Sequence, residues 1–566
     1  MRLADLTKAG IPERIIDIWR KRQGELLLPV QAKAVRKGLL GQAGNQSDPK
    51  PLRMLISAPT SSGKSFCAEM AMVNALTRRR KAVMLAPLKA LAEQLYRRLE
   101  RSYGPLGVRC LIVTGDHPEN DSRFAGGEFH LAVAIYEKFD LLLTSNLDML
   151  KNIGLVIVDE IQTIAEPGRG ALLERLLTRM KASVYEPSLL CLSAVIGDAS
   201  RSAGSLARWL DAELVEETAR PVDLMRGVAA GGTWRYRSYN SGLDGSEPFE
   251  SPGVDEQPFD AFIRQIKADG GSTLAFLKSR RNTVECAFRL AAGVNWPEAT
   301  TALHGLEEEE PSFLVRSLRQ VLSRGVAFHN ADLSSRQRAV IEEAFAGGEI
   351  KVIFSTTTLA LGVDLPADTV YLETVKYSSG EYTTRPSLAP VTRAEFDNMT
   401  GRAGRLRHGR PRPGRAIVLA ESEFERDILW ENYIAPDQPE SITSAFATMP
   451  ADDWLLSMVA GGLVVDLDSA ARVFGQTFAA ACAGNGSPPE FGACLEQLAE
   501  RGLIESVNGS DRWAVTSLGR AAAQSGLSVE QADFLRRRLS SDRPQAPAGW
   551  LALALSAPGW SLSPGT

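Results

Sequence analysis

"SAPTSSGKSFCAEM", residues 57–70, follows the apolar run "RMLIS" and leads into a helix-forming segment. Residues 58–65 fit the phosphate-loop spacing, with Ala58 in the first glycine position. In such a loop the backbone N–H groups and the following helix N-terminus favour phosphate oxygens. Thr60, Ser61, Ser62 and Gly63 would form the cradle, Lys64 would neutralise the outer phosphates, and Ser65 would ligate magnesium. A Gly/Ser-rich loop before a helix is the plain alternative, so the spacing needs a second half-site.

"LVIVDEIQ", 155–162, supplies it by ending an apolar strand on Asp159 and Glu160. Asp159 can hold magnesium through water, and Glu160 can orient or deprotonate an attacking water. A third piece is "NMTGRAGRLRHGRPRPGR", 398–415, where Arg402 and Arg405 stand three apart on one face. Both can reach a γ-phosphate from across a cleft; Arg407, Arg410, Arg412 and Arg415 read as a generic basic loop.

Outward from these pieces, short apolar runs alternate with helical stretches: "RMLISAP", "AVMLAPL", "CLIVTGD", "LVIVDE", "LLCLSAV". That pattern predicts an α/β fold with a parallel sheet covered on both faces. The distinctive residues lie just past each run, where open parallel sheets bind ligands. A polar stretch at 237–258 breaks the pattern, which resumes with "STLAFLKS", "GVAFHNA", "KVIFSTTT", "TVYLE" and "RAIVLAE". Two tandem α/β domains, 1–218 and 219–435, are expected. Beyond them, an amphipathic helix and a hairpin turning at Asn508-Gly509 predict a winged helix over 436–520, then a helical, apolar tail over 521–566.

The bulk composition bounds the possibilities. A chain of 566 residues exceeds one core, and about three or four domains are expected. A net charge of −4 excludes a global polycation, so nucleic-acid contact must come from local patches. Six singly scattered cysteines with no CxxC argue against disulfide frameworks, zinc sites and iron–sulfur clusters. No signal-peptide pattern and no run of membrane-spanning length is present, and the chain reads as cytosolic.

With these motifs in order, the chain resembles the superfamily 2 helicases, most closely the Ski-like branch and its HelQ-type DNA helicases, from about 30 to 530. "LLLPVQ" resembles the adenine-reading motif, with Gln31 as reader. "APTSSGKS" and "DEIQ" resemble motifs I and II, "APLKALAEQ" and "VTGD" motifs Ia and Ib, and "YEKFD" and "GRGALLE" family signatures around motif II. "GVAFHNADLSSRQRAVIEEAF", "STTTLALGVDLPA" and "NMTGRAGR" resemble motifs IVa, V and VI.

The resemblance implies two RecA-like domains with ATP and magnesium in the cleft and nucleic acid across both. It places Gln31, Lys64, Ser65, Asp159, Glu160, Gly362, Asp364, Arg402 and Arg405 at the nucleotide, and Lys89, Thr114, Lys138, His329 and Thr358 along the strand. These would hold sugar-phosphate rather than read bases; His329 reads equally as a packed structural residue. Three positions depart from the family: Gln162 for His, Val195 for Thr after Ser193, and Asn398 for Gln. They fall in the polar network linking hydrolysis to domain movement, so coupling rather than turnover is in question.

The expected activity is ATP-dependent unwinding, 3′-to-5′ on single-stranded DNA. RNA as substrate, or an ATP-gated clamp subunit of a repair or defence complex, are the alternatives. The segment 375–390 reads either as the unwinding hairpin of these relatives or as a surface connection. HelQ-type relatives continue into a helical ratchet domain; residues 436–520 carry a net charge of −7 here and only 46 residues follow Arg520. An apolar tail with Trp550 and Trp560 is expected to dock a protein partner or a ratchet domain, or to fold back onto the winged helix.

Overall fold

The computed structural model describes residues 1–41, 51–196, 205–251, 258–307, 309–310, 312–357, 359, 365–379, 386–404, 413–435, 442–483, 489–541 and 546–558. In the first third, strands β1 (Arg53–Ser57), β2 (Lys81–Ala86), β3 (Cys110–Val113), β4 (Leu131–Ile135), β5 (Ile153–Val158), β6 (Ser188–Ser193) and β7 (Glu213–Glu216) form one parallel sheet, ordered β3-β4-β2-β5-β6-β1-β7. The strands are nearly continuous in apolar residues because both faces are covered. Alternate side chains feed two cores. Met54, Ile56, Met84, Leu155 and Ile157 face one, while Leu55, Val83, Leu85, Val156 and Val158 face the other. The helix Lys64–Thr77 is buried along most of its length, and its alanines, methionines and Cys67 let it lie close against the sheet.

A second sheet follows, made of β8 (Leu224–Ala230), β9 (Thr233–Ser238), β10 (Asp244–Pro248), β11 (Thr273–Phe276), β12 (Val326–His329), β13 (Val352–Ser355), β14 (Thr369–Leu372) and, after a separate hairpin, β17 (Gly414–Leu419). Its order is β10-β9-β8-β17-β14-β11-β13-β12. From β8 to β12 all pairs are parallel, whereas β8, β9 and β10 run antiparallel. The polar stretch that broke the strand pattern is therefore partly strand. β10 is the sheet edge and most of its residues are exposed, so it carries no apolar alternation. The two sheets with their flanking helices make tandem RecA-like domains, each with its own core.

β15 (Val375–Ser379) and β16 (Pro386–Pro390) pair as a detached antiparallel hairpin; its tip lies outside the described residues. At the C-terminal side, the helix Phe491–Glu500 precedes β18 (Ile504–Ser506) and β19 (Trp513–Val515), with Asn508 at φ 54° and Gly509 at φ 69° in the turn between them. Positive φ at both positions is the geometry that an Asn-Gly turn favours. The core of this winged-helix unit runs from Phe446 through Trp454 and Leu495, and also takes in Val529 and Ala532 of the helix Val529–Ser541. That part of the tail thus packs onto the winged helix. The helix Pro547–Leu555 follows, with Trp550 and Leu551 exposed; Trp560 lies outside the described residues. Among the described residues no helix is long and apolar enough to cross a membrane.

Buried charge joins this unit to the first domain through the helix Arg169–Ala182. Glu174 accepts hydrogen bonds from Ser444 Oγ at 2.6 Å and Ala479 N at 2.7 Å. Arg179, fully buried, donates to Ser457 Oγ at 2.6 Å and lies 3.4 Å from Asp140.

Candidate functional site

Strand order brings the chemistry together. β6 lies between β1 and β5, so the loops leaving all three emerge side by side at their carboxyl ends. The β1 loop is the 58–65 segment. Ser61 takes φ 68° and Gly63 φ 90°, turning the chain tightly before Lys64 opens the helix. A side chain at 63 would place Cβ 2.2 Å from Gln31 Nε2; only glycine lets that amide seat on the loop. Gln31 is fully buried there, donating to Gly63 O at 3.2 Å and accepting from Leu28 N at 2.9 Å. Its amide is thus placed against the phosphate loop itself. Ser62 Oγ donates to Pro59 O at 2.7 Å, and Lys64 Nζ folds back onto Ala58 O at 2.5 Å and Pro59 O at 3.1 Å. Ser65 is exposed at the helix start.

At the end of β5, Glu160 sits at φ 50°, ψ 49°. Left-handed backbone in a non-glycine residue costs on the order of 1–3 kcal/mol and clusters at functional sites. Asp159 is half-buried beside it and accepts from Glu160 N at 3.1 Å. Burial first, then the Glu160 charge, pushes the Asp159 carboxyl well above the usual carboxylate range, while Lys64 opposes the shift. Two adjacent, half-buried acids repel each other and a bound cation would relieve that repulsion, so their chemistry fits magnesium. Among the described residues no three His, Cys, Asp or Glu side chains converge into a metal cage. A magnesium ion at Ser65 and Asp159 would therefore take its other ligands from phosphate and water.

Gln162 links this corner to β6. Its Oε1 accepts from Ser193 Oγ at 2.9 Å and Ala194 N at 3.3 Å, and its Nε2 donates to Glu160 Oε2. Val195 follows, half-buried. Tyr136, the first residue of "YEKFD", donates its hydroxyl to Asp159 O. Nothing in the sequence beyond its place at the head of "YEKFD" marks Tyr136 for this contact.

The second domain closes over this corner. Arg402 is 7% exposed, and burial lowers its pKa to about 10, while Glu160 and Glu342 favour its charge. It therefore stays cationic at neutral pH and lies within electrostatic reach of the first domain's Glu160. Closure is tight: a Cβ at Gly401 would lie 2.3 Å from Thr60 Oγ1. Arg220, which no motif contains, donates to Thr60 Oγ1 and to Ala403 O. Asn398 is half-buried on the helix Arg393–Thr400. Gly362, Asp364, Arg405 and Thr358 lie outside the described residues.

The remaining strand-contact candidates sit at or near strand ends. Lys89, after β2, pairs with Asp116 at 2.7 Å, close to Thr114, which follows β3 and is almost fully buried. Lys138, after β4, pairs with Asp121 at 2.5 Å. His329 ends β12 in the other domain, 3% exposed, with Nε2 3.0 Å from Glu342. Its ring lies beneath the surface, against the helix Ser335–Ala346. Sequence left it open between strand contact and packing; the burial is that of a packed residue.

An acid pair and phosphate loop on one RecA-like sheet, faced by a buried arginine from the next, make the core of a two-domain helicase. Residues 29–202 match the DEAD/DEAH box helicase family and residues 258–407 the helicase conserved C-terminal domain. The chain is 33% identical to the ATP-dependent DNA helicase Hel308 of Pyrobaculum calidifontis, over 98% of this chain and 75% of that protein. It is 33% identical to the Hel308 of Methanocella arvoryzae over 80% of this chain and 58% of that protein. For the Hel308 of Pyrococcus horikoshii the identity is 35%, over 77% of this chain and 56% of that protein. The chain thus aligns with little more than half the length of the latter two. It belongs to the Hel308 helicase family.

Proposed function

We propose that the chain is an ATP-dependent DNA helicase that moves 3′-to-5′ along single-stranded DNA. The observation that carries the reading is the close packing of Gly401 against Thr60 of the phosphate loop, which brings the buried Arg402 to the interdomain cleft, where Glu160 favours its charge. An acid that activates water on one domain and a cation on the other make hydrolysis depend on closure, and closure is what moves a strand. Lys64 would leave its loop carbonyls for the outer phosphates, and Glu160 would orient the attacking water. Magnesium, held by Ser65 and Asp159, would neutralise the phosphates.

The strand is assigned to Lys89, Thr114, Lys138, Thr358 and the region of His329, and the similarity to the Hel308 DNA helicases favours DNA over RNA. Domain limits at 218, 435 and 520 are part of the same reading. The acidic surface of the C-terminal unit repels phosphate, so that unit, with exposed Trp550 and Leu551, is assigned to protein contact. The test is ATPase stimulation by single-stranded DNA against RNA, with strand displacement on duplexes carrying a 3′ or a 5′ tail. Stimulation by DNA and displacement from the 3′-tailed duplex are expected. Stimulation by RNA alone would move the assignment to the RNA helicases, and ATPase without displacement would move it to a clamp.

A further inference from the structure

Arg220 stands in the connector between β7 and β8, 5% exposed. The Asn240 amide fixes its backbone from both sides, accepting from Arg220 N at 2.8 Å and donating to Arg220 O at 3.0 Å. Pro221 then restricts the chain further. From that anchored position the guanidinium spans the cleft. Nη1 donates to Thr60 Oγ1 at 3.0 Å, in the phosphate loop of the first domain. Nη2 donates to Ala403 O at 2.8 Å, in the second domain and next in sequence to Arg402. Nε reaches Val222 O at 3.4 Å. Burial lowers the guanidinium pKa to about 10, against which Tyr239, whose ring centroid lies 5.9 Å away, and then Asp223 and Asp397 favour the charge; the hydrogen-bond partners among the described residues are one hydroxyl and two carbonyls.

Burying a cation on neutral acceptors is costly, and a connector needs no such group to join two domains. What the arrangement achieves is geometric. A planar fork meets two acceptors at once, one on the loop that holds phosphate and one on the carbonyl of Ala403, the residue after Arg402. We propose that Arg220 is a positioning residue that transmits the shape of the phosphate loop, through Thr60, to the backbone presenting Arg402. This rests on the reading of the cleft as the ATP site. With phosphate bound and Thr60 in place, the fork sets Ala403, and Arg402 is held towards Glu160. When the loop relaxes, the Thr60 prong is lost and the second domain is freed.

The test compares Arg220→Lys, Thr60→Val and the double variant, measuring single-turnover hydrolysis with saturating single-stranded DNA, affinity for a fluorescent ATP analogue, and thermal melting. A lysine keeps the charge but cannot hold both acceptors. Hydrolysis by Arg220→Lys is expected to fall about tenfold or more, the usual worth of a charged hydrogen bond, with nucleotide affinity within about threefold. The double variant should be no slower than the slower single variant, because both remove one link. Hydrolysis within about twofold of wild type, or losses that multiply in the double variant, would overturn the proposal. Arg220→Gln, which removes the buried charge and with it the desolvation cost, is the second variant should the lysine not fold, with the same outcomes. Glu160→Gln, run alongside, separates the two readings. Normal hydrolysis in Glu160→Gln overturns the ATP site itself; a dead Glu160→Gln with a normal Arg220→Lys overturns only the role of Arg220.

Discussion

Ser193 donates to Gln162 at 2.9 Å, and the same Gln162 amide donates to Glu160. The end of β6 is thereby tied to the acid at the end of β5 through one side chain. Sequence alone made Gln162 and Val195 departures that put coupling in doubt. The geometry gives Gln162 the bridging position, since an amide offers a donor on one side and an acceptor on the other. Gln162→Ala should break the bridge and slow DNA-stimulated hydrolysis about 10- to 100-fold, as expected for a lost hydrogen bond to a charged group. Gln162→His with Val195→Thr should leave the ratio of unwinding to ATPase unchanged. A clear rise in that ratio would mean that the amide bridge transmits poorly.

Glu160→Gln tests the chemistry directly. The amide preserves size and the left-handed backbone, so ATP affinity should persist. Hydrolysis should fall about 10²–10⁴-fold, the usual contribution of a positioned base. Measured side by side, nucleotide binding and single-turnover hydrolysis must separate; if both survive, Glu160 is not the base.

Asp140 anchors the joint between the first domain and the winged helix. It is fully buried, 2.6 Å from Arg175 and 3.4 Å from Arg179; burial pushes the Arg179 pKa down, and Asp140 opposes that shift. Asp140→Ala leaves two guanidinium groups without their carboxylate. Breaking a buried pair in this way typically costs about 3–5 kcal/mol. The variant should melt several degrees lower and become sensitive to proteolysis near residues 442–483. An unshifted melting curve would show that Ser457 and solvent suffice for Arg179.

The strands that carry the site were legible because parallel strands covered on both faces are short, apolar and followed by their functional residues. Met54 to Ile56 and Leu155 to Val158 are such runs. β10 was not, because an edge strand facing solvent is under no pressure to be apolar, and β9, between β10 and β8, is only half-buried over most of its length. The phosphate loop, Asp159 and Glu160 were legible as spacing. Arg220 was not: its partners, Thr60 and Ala403, are 160 and 183 residues away in sequence, and a lone arginine in a connector has no pattern. Glu174 and Arg179 were hidden for the same reason, since a charge on a helix reads as solvated until a second unit covers it. The Asn508-Gly509 turn lies at the other extreme, because its signal is local and complete in two residues.

The detached hairpin gives the final prediction. Tyr377 on β15 stands directly opposite Leu388 on β16, and the two side chains are 53% and 56% exposed. A cross-strand apolar pair with no core beneath it adds little to stability, yet it offers a face on which a base can stack. The hairpin base is not free to drift. Lys376 pairs at 2.5 Å with Glu395, which caps the helix Arg393–Thr400, and that helix leads straight to Arg402. Domain closure at the nucleotide should therefore carry the hairpin with it. Tyr377→Ser with Leu388→Ser is expected to spare DNA-stimulated ATPase within about twofold, and to cut unwinding of a 3′-tailed duplex about tenfold, in the range of one lost stacking contact. Lys376→Ala should lower unwinding per ATP as well, by loosening the base rather than the tip. Both activities falling together in the Tyr377/Leu388 variant would mean that the hairpin supports folding of the second domain and separates no strands.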